Sequence, residues 1–299
     1  MSLEYILGID VGGTNTRMGI VASDLSICRD LTISTAIFAD QDNTVSNFLN
    51  LVDDFLCQGK ESVSAMCFGF PSIISKDKLV ILQTPNISGL DRIEMVKLAE
   101  ERFNIPVFLE KDVNLLLRYD IEKLGLKELS PVLGFYIGTG FGNSIYIHKK
   151  FFCGANGAAG ELGHIPLYMN NELCSCGNTG CVETIASGKY LVEQIKKKYP
   201  KTEIKDFFRY HKDETFANEF IELLSYPAAA EMNIFDPFAV VFGGGIVSMQ
   251  GFPKEKLISE VKKRLRYPYP QQSASFYFSE DTNNAGVLGA AYSAFDRLA

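Results

Sequence analysis

Apolar positions in this chain recur with two periods. Residues 5–10 form a continuous apolar run closed by Asp10, the pattern of a buried strand. The pair Gly12-Gly13 then marks a tight turn into a second strand around 17–21, and a third strand lies near 31–36. Helical spacing follows over 44–56, then a strand at 65–70, a helix at about 92–103, a strand at 107–110 and a helix after Asp112. This order, βββαβαβα, starts again at 132–137, with Gly138-Thr139-Gly140 as the turn and 142–148 as the second strand; helices and a strand at 239–242 follow. Two copies of one α/β unit, each opened by a glycine-turned hairpin, predict two lobes facing each other across a cleft. The hinge is expected near 118–132. That gives an N-terminal lobe over 1–118 and a C-terminal lobe over 119–283, with 284–299, helical to about 297, packing back on the first lobe.

Composition narrows the class. At 299 residues, 46% hydrophobic and 22% charged, the chain is long enough for two compact domains. The start, MSLEYILGID, has no basic segment ahead of an apolar one, and no window reaches the length of a membrane span, so a cytoplasmic protein is expected. A net charge of -7 argues against a nucleic-acid partner, which needs a basic stripe. The run 196–198, all lysine, reads as the solvated end of a helix. Seven cysteines are too few for a disulfide scaffold; Cys28, Cys57, Cys67 and Cys153 stand singly and read as core residues, while the other three cluster.

The turn from Asp10 to Arg17 offers Gly12 and Gly13 for close backbone approach to an anion, with Thr14, Asn15 and Arg17 as further donors. Asp10, at the strand end, is placed to hold Mg²⁺ directly or through water. A plain hairpin turn is the alternative. The matching turn of the second unit, Gly138-Thr139-Gly140, and the triple glycine Gly243-Gly244-Gly245 after the strand 239–242 extend the phosphate-binding reading; a flexible turn is the other reading of the latter. No GxxxxGK[ST] loop is present.

His164, Cys174, Cys176 and Cys181 supply an imidazole and three thiols, a donor set suited to a closed tetrahedral Zn²⁺ site with a structural task. Such a metal would order residues 172–183, which hold little core-forming material. Asp112 follows the strand 107–110 and precedes a helix, so it reads either as a helix cap or as a general base. Glu161 and Glu183 flank the cysteine cluster and are candidates to bind vicinal hydroxyls.

Together, DVGGTNTR at 10–17, GAAGELGH at 157–164 and CSCGNTGCVET at 174–184 resemble the ROK family of sugar kinases and sugar-responsive repressors. The resemblance spans nearly the whole chain. It implies an actin-like, hexokinase-type fold of two ribonuclease-H-like lobes, ATP with Mg²⁺ as donor, a hexose as acceptor, a structural zinc and a homodimer. It also implies that Asp112 is the general base and that Asn86, Glu161, His164 and Glu183 contact the sugar. One departure is Lys111, where glucokinases of the family carry an asparagine that touches sugar hydroxyls; Lys111 is taken here as a sugar-binding residue. The segments 69–78, 111–120, 160–167 and 233–249 are most similar to the D-allose kinase branch. Family repressors carry a DNA-binding module ahead of the first glycine loop, which here begins at Asp10, so an enzyme is expected; N-acetylmannosamine, glucose and fructose are the alternative acceptors.

Overall fold

The computed structural model describes residues 4–40, 42–280 and 283–298. The chain folds into two compact units, one of residues 4–124, 153–159 and 283–298, the other of residues 125–152 and 160–280. The first unit runs β1 (Tyr5–Val11), β2 (Asn15–Ala22), β3 (Ile27–Ser34), α1 (Thr44–Cys57), β4 (Val63–Phe70), β5 (Ile73–Ile74), β6 (Ile81–Gln83), α2 (Met95–Phe103), β7 (Val107–Lys111) and α3 (Asp112–Lys123). The second runs β8 (Val132–Ile137), β9 (Phe141–Ile147), β10 (Lys150–Phe151), α4 (Gly188–Lys198), α5 (Phe207–His211), α6 (Thr215–Phe235), β11 (Ala239–Gly243), α7 (Lys254–Arg264) and β12 (Ser275–Phe278). A final helix, α8 (Ala285–Leu298), belongs to the first unit.

The duplication is visible in the sheets. Their strand orders, β3-β2-β1-β4-β7 and β10-β9-β8-β11-β12, are the same topology, with an antiparallel meander followed by two parallel strands. In the first sheet the alternation of β1 sorts its side chains by face. Leu7, Ile9 and Val11 join Phe48 and Val52 of α1 and Met95 and Ala99 of α2 in one core. Ile6 joins Leu115 of α3 and Val287, Ala290, Ala291 and Ala294 of α8 in another.

On that second face helix and sheet touch through glycines. A Cβ on Gly8 would overlap the carbonyl of Val287, and one on Gly289 would overlap the carbonyl of Leu115. Backbones approach this closely only where no side chain intervenes.

Several elements depart from the sequence reading, each for a local reason. The third strand spans Ile27–Ser34 rather than 31–36, because its antiparallel register with β2 pairs Asn15 with Ser34, after which Thr35 turns away to bond Gly12 and Thr14. Helix α2 starts at Met95, not near 92, since Ile93 is held in a bridge to Ile81 and Arg92 has φ of 58°. Of the four single cysteines read as core, Cys67 is buried, but Cys28 and Cys57 are exposed and Cys153 is half-buried. Among the described residues no helix is long and apolar enough to cross a membrane.

The second unit holds a buried acid. Glu231 of α6 is 5% exposed, and its Oε2 accepts from Asn143 Nδ2 of β9 at 2.7 Å. Burial pushes the Glu231 carboxyl up to about 8, against the pull of Asn143.

Two outcomes follow for stability. Gly289→Ala adds a better helix former yet should destabilise, by about 1–3 kcal/mol, because its methyl meets the α3 backbone; a raised melting temperature would contradict this packing. Because Glu231 is ionised above about 4.5 when unfolded but protonated up to about 8 when folded, its contribution is full at low pH and is lost as pH rises through 8. Glu231→Gln should therefore flatten the decline of melting temperature between about pH 4.5 and 8, which thermal denaturation across that range checks.

Candidate active site

The carboxyl-terminal edge of the first sheet gathers the first unit's candidate residues. Parallel pairing sets Asp10 opposite Gly69 and Gly69 opposite Glu110, so β1, β4 and β7 end level. At about 4.8 Å per strand, β1 and β7 lie about 10 Å apart, and ligands of parallel sheets bind beyond such strand ends. Asp112 is the first residue of α3, and its Oδ1 accepts the N–H of Val113 at 2.8 Å; the cap position is Lys111. Lys111 Nζ donates to the carbonyl of Ala159 at 3.2 Å.

Asp10 is 8% exposed and lies 4.0 Å from Arg17 Nη1. Burial pushes its carboxyl up to about 6, with Arg17 pulling the other way. Gly286, in the first turn of α8, leaves no room for a side chain beside Asp10. The turn after β1 is fixed at both ends: Gly12 N–H donates to Asn15 O at 2.9 Å, and Thr35 donates Oγ1–H to Gly12 O at 2.7 Å and N–H to Thr14 O at 2.9 Å. Asn86 Cβ stands beside Gly13. Arg17 Nε is buried with no protein partner among the described residues. Thr35 and Gly286 were not apparent from the sequence, since only folding brings them to the turn and to Asp10.

In the second unit, Gly138-Thr139-Gly140 and Gly243-Gly244-Gly245 converge. Gly138 O accepts from Gly188 N and Thr139 O from Lys189 N, both at 2.9 Å, so the start of α4 docks on the turn. Ile246 N donates to Ile137 O at 3.1 Å, and Gly244, at φ of 92°, presses its backbone on Ile137, where a Cβ would overlap. Gly245 has open space beside it. Glu183 Oε2 accepts the N–H of Phe141 at 3.0 Å and stands against Gly140. Ser187, Gly188 and Lys189 escaped the sequence reading; the available signal was a serine ahead of a helical run, and Ser187 Oγ indeed accepts from Tyr190 N.

His164, Cys174, Cys176 and Cys181 come together with their ligand atoms within 4.8 Å of one another. Their spacing can be tested against a metal. Zn–S bonds of about 2.3 Å and Zn–N bonds of about 2.0–2.1 Å at tetrahedral angles require S···S near 3.8 Å and N···S near 3.6 Å. Cys176 Sγ lies 3.7 Å from Cys181 Sγ, and His164 Nδ1 lies 3.6 Å from Cys174 Sγ. These two spacings fit a zinc ion. Burial, followed by the adjoining Cys176 and Cys174 thiols, pushes the Cys181 thiol up to about 12, a cost that a bound dication reverses. The other imidazole nitrogen, Nε2, faces Glu161 Oε2 at 3.8 Å, so Nδ1 is left for the metal. Gly160, at φ of 77°, packs on Asn143 and leads into Glu161.

Known proteins with this organisation were found by sequence and by structure. A glucokinase from Thermotoga maritima is 24% identical over 310 residues, covering 96% of each chain. A xylose repressor from Bacillus spizizenii is 29% identical over 231 residues, covering 73% of this chain and 58% of the repressor. The crystal structure of a ROK family glucokinase from Streptomyces griseus in complex with glucose and AMPPNP superposes with a TM-score of 0.80 at 23% identity, covering 97% of this chain and 98% of that one. The fold is thus the hexokinase-type, actin-like one. With the ROK family model matching residues 6–297, a span that takes in both glycine turns, the cysteine cluster and Asp112, this chain belongs to the ROK family.

Proposed function

We propose that this protein is an ATP-dependent sugar kinase that phosphorylates the 6-hydroxyl of a hexose, with D-allose as the substrate. The reading is carried by Asp112, a carboxylate at the first residue of α3 directly after β7, whose end is level with the strand end that bears Asp10 and the first glycine turn. The glucokinase relative that matches end to end supports the same reaction class. D-allose is supported by Lys111, a cation beside the base where an asparagine would suit glucose.

Asp112 accepts the proton of the sugar hydroxyl as that oxygen bonds to the γ-phosphorus of ATP, and the bond from phosphorus to the bridging oxygen breaks to release ADP. Asp112 Oδ1 is already oriented by the N–H of Val113, and Oδ2 takes the proton. Backbone N–H groups of the turns at Gly12-Gly13 and Gly138-Gly140, and of Gly243-Gly244-Gly245, bind phosphate oxygens together with Thr14, Asn15, Arg17 and Thr139. Mg²⁺ supplies charge neutralisation when bound with ATP, and Asp10 would hold it directly or through water. Asn86, Lys111, Glu161, His164 and Glu183 bind the sugar. Glu183 keeps Oε1 for a hydroxyl, since Oε2 serves Phe141. His164, Cys174, Cys176 and Cys181 would hold zinc, which would order residues 172–183, and with them Glu183, next to Glu161 and leave no open position for substrate.

Initial rates with ATP over D-allose, N-acetylmannosamine, glucose and fructose test the assignment; D-allose should give the highest kcat/KM, and no turnover with any of them would reject the kinase reading. Asp112→Asn should lower kcat by about 10²–10⁴-fold with sugar affinity largely retained, and near-normal turnover in that variant would remove Asp112 from the base role. Elemental analysis of the purified protein should find one zinc per chain, and chelation should lower the melting temperature by several degrees while three further thiols become reactive. A zinc-free protein whose melting temperature ignores the chelator would rule the metal out.

A further inference from the structure

The strand end ahead of Asp112 carries a carboxylate that the proposed chemistry does not use. Glu110 is 3% exposed, at the end of β7, and both of its oxygens are engaged. Oε1 accepts the backbone N–H of Lys111 at 3.2 Å and the side-chain amide of Asn114 at 2.9 Å. Oε2 accepts from Lys78 Nζ, in the turn between β5 and β6, and from Arg297 Nη2 of α8 at 3.2 Å. A carboxylate this buried is sustained only by such a full set of donors, two of them cationic.

The arrangement brackets Asp112. A single oxygen holds the residue before it and the residue two positions after it, so the first turn of α3 is fastened on either side of the base. The opposite oxygen anchors that fastening to two elements remote in sequence. We infer that Glu110 is a positioning residue for phosphoryl transfer: it fixes the backbone at the β7–α3 junction so that the Asp112 carboxylate meets the acceptor hydroxyl in register. This rests on the reading of Asp112 as the base. It gives Lys78 and Arg297 a share in turnover, although neither is near Asp112 in the chain.

The chemistry of glutamine makes the test specific. Glu110→Gln keeps the shape but has one acceptor oxygen, which can serve the pair Lys111 N–H and Asn114 or the pair Lys78 and Arg297, not both. A base displaced by a fraction of an ångström costs rate rather than ground-state binding. Steady-state kinetics of Glu110→Gln and Asn114→Ala should show kcat lowered about 10- to 100-fold, with KM for sugar and ATP within about twofold of the parent. Asn114→Ala leaves every charge in place, so it serves where Glu110→Gln folds poorly. The deciding measurement is the double variant. Placed on Asp112→Asn, Glu110→Gln should lower residual turnover by less than about twofold, because there is no base left to position, whereas a merely structural loss would multiply. Parent-like kcat in both single variants, or losses that multiply in the double variant, would overturn the inference. Loss of turnover in Asp112→Asn with parent-like Glu110→Gln would do so while leaving the base assignment intact; turnover retained in Asp112→Asn would remove both.

Discussion

The first unit depends on the absence of side chains where α8 meets the sheet. Gly8 on β1 and Gly289 on α8 lie where any Cβ would enter a neighbouring backbone, and Gly19 of β2 faces a Val287 methyl in the same layer. The sheet, α8 and α3 therefore stack at backbone distance, and the small residues Ala290, Ala291 and Ala294 fill what space remains. This contact sets the site from two directions. It brings the start of α8 against Asp10 through Gly286, and it carries Arg297 at the other end of the helix to Glu110. One close-packed helix thus touches both strand ends, β1 and β7, from which the candidate chemistry is built.

The two units show how one topology supports different tasks. Each sheet opens with a meander whose first turn is rich in glycine and continues with parallel strands. In the first, a threonine just after β3 fastens the turn; in the second, the start of α4 and a glutamate do so. The second unit adds the cysteine cluster, which has no counterpart among the described residues of the first, and its own buried pair of Glu231 and Asn143. The duplicated framework accounts for the glycine turns.

Much of this was legible in the residues. Apolar and helical runs gave the three strands of the first meander, the first two of the second and α1 within a few residues, because each buries a face against a core and its apolar spacing must match its geometry; the two-residue β10 was missed. The cysteine cluster was legible because its members are close in sequence. The Glu110 hub was not: its partners Lys78 and Arg297 stand 32 and 187 residues away, and an ion pair leaves no periodic trace. The β5–β6 hairpin was missed because strands of two and three residues are too short to show alternation. Cys28 and Cys57 were misread as core since residue type alone says little about burial at the edge strand β3 and at the last residue of α1. Glu183 was expected at a sugar, and the bond to Phe141 that ties it to the second glycine turn depends on a register only the fold supplies.

The chain visits its two units alternately. It leaves the first after Leu124, returns for Cys153–Ala159, and comes back once more for α8. Half of the layer that seals β1 is accordingly encoded after the entire second unit. At translation rates of about 5–20 residues per second, the amino-terminal sheet waits many seconds on the ribosome with the face of Ile6, Val21 and Ala65 lacking its α8 cover. During biosynthesis, that apolar face lacks half of its cover until α8 emerges.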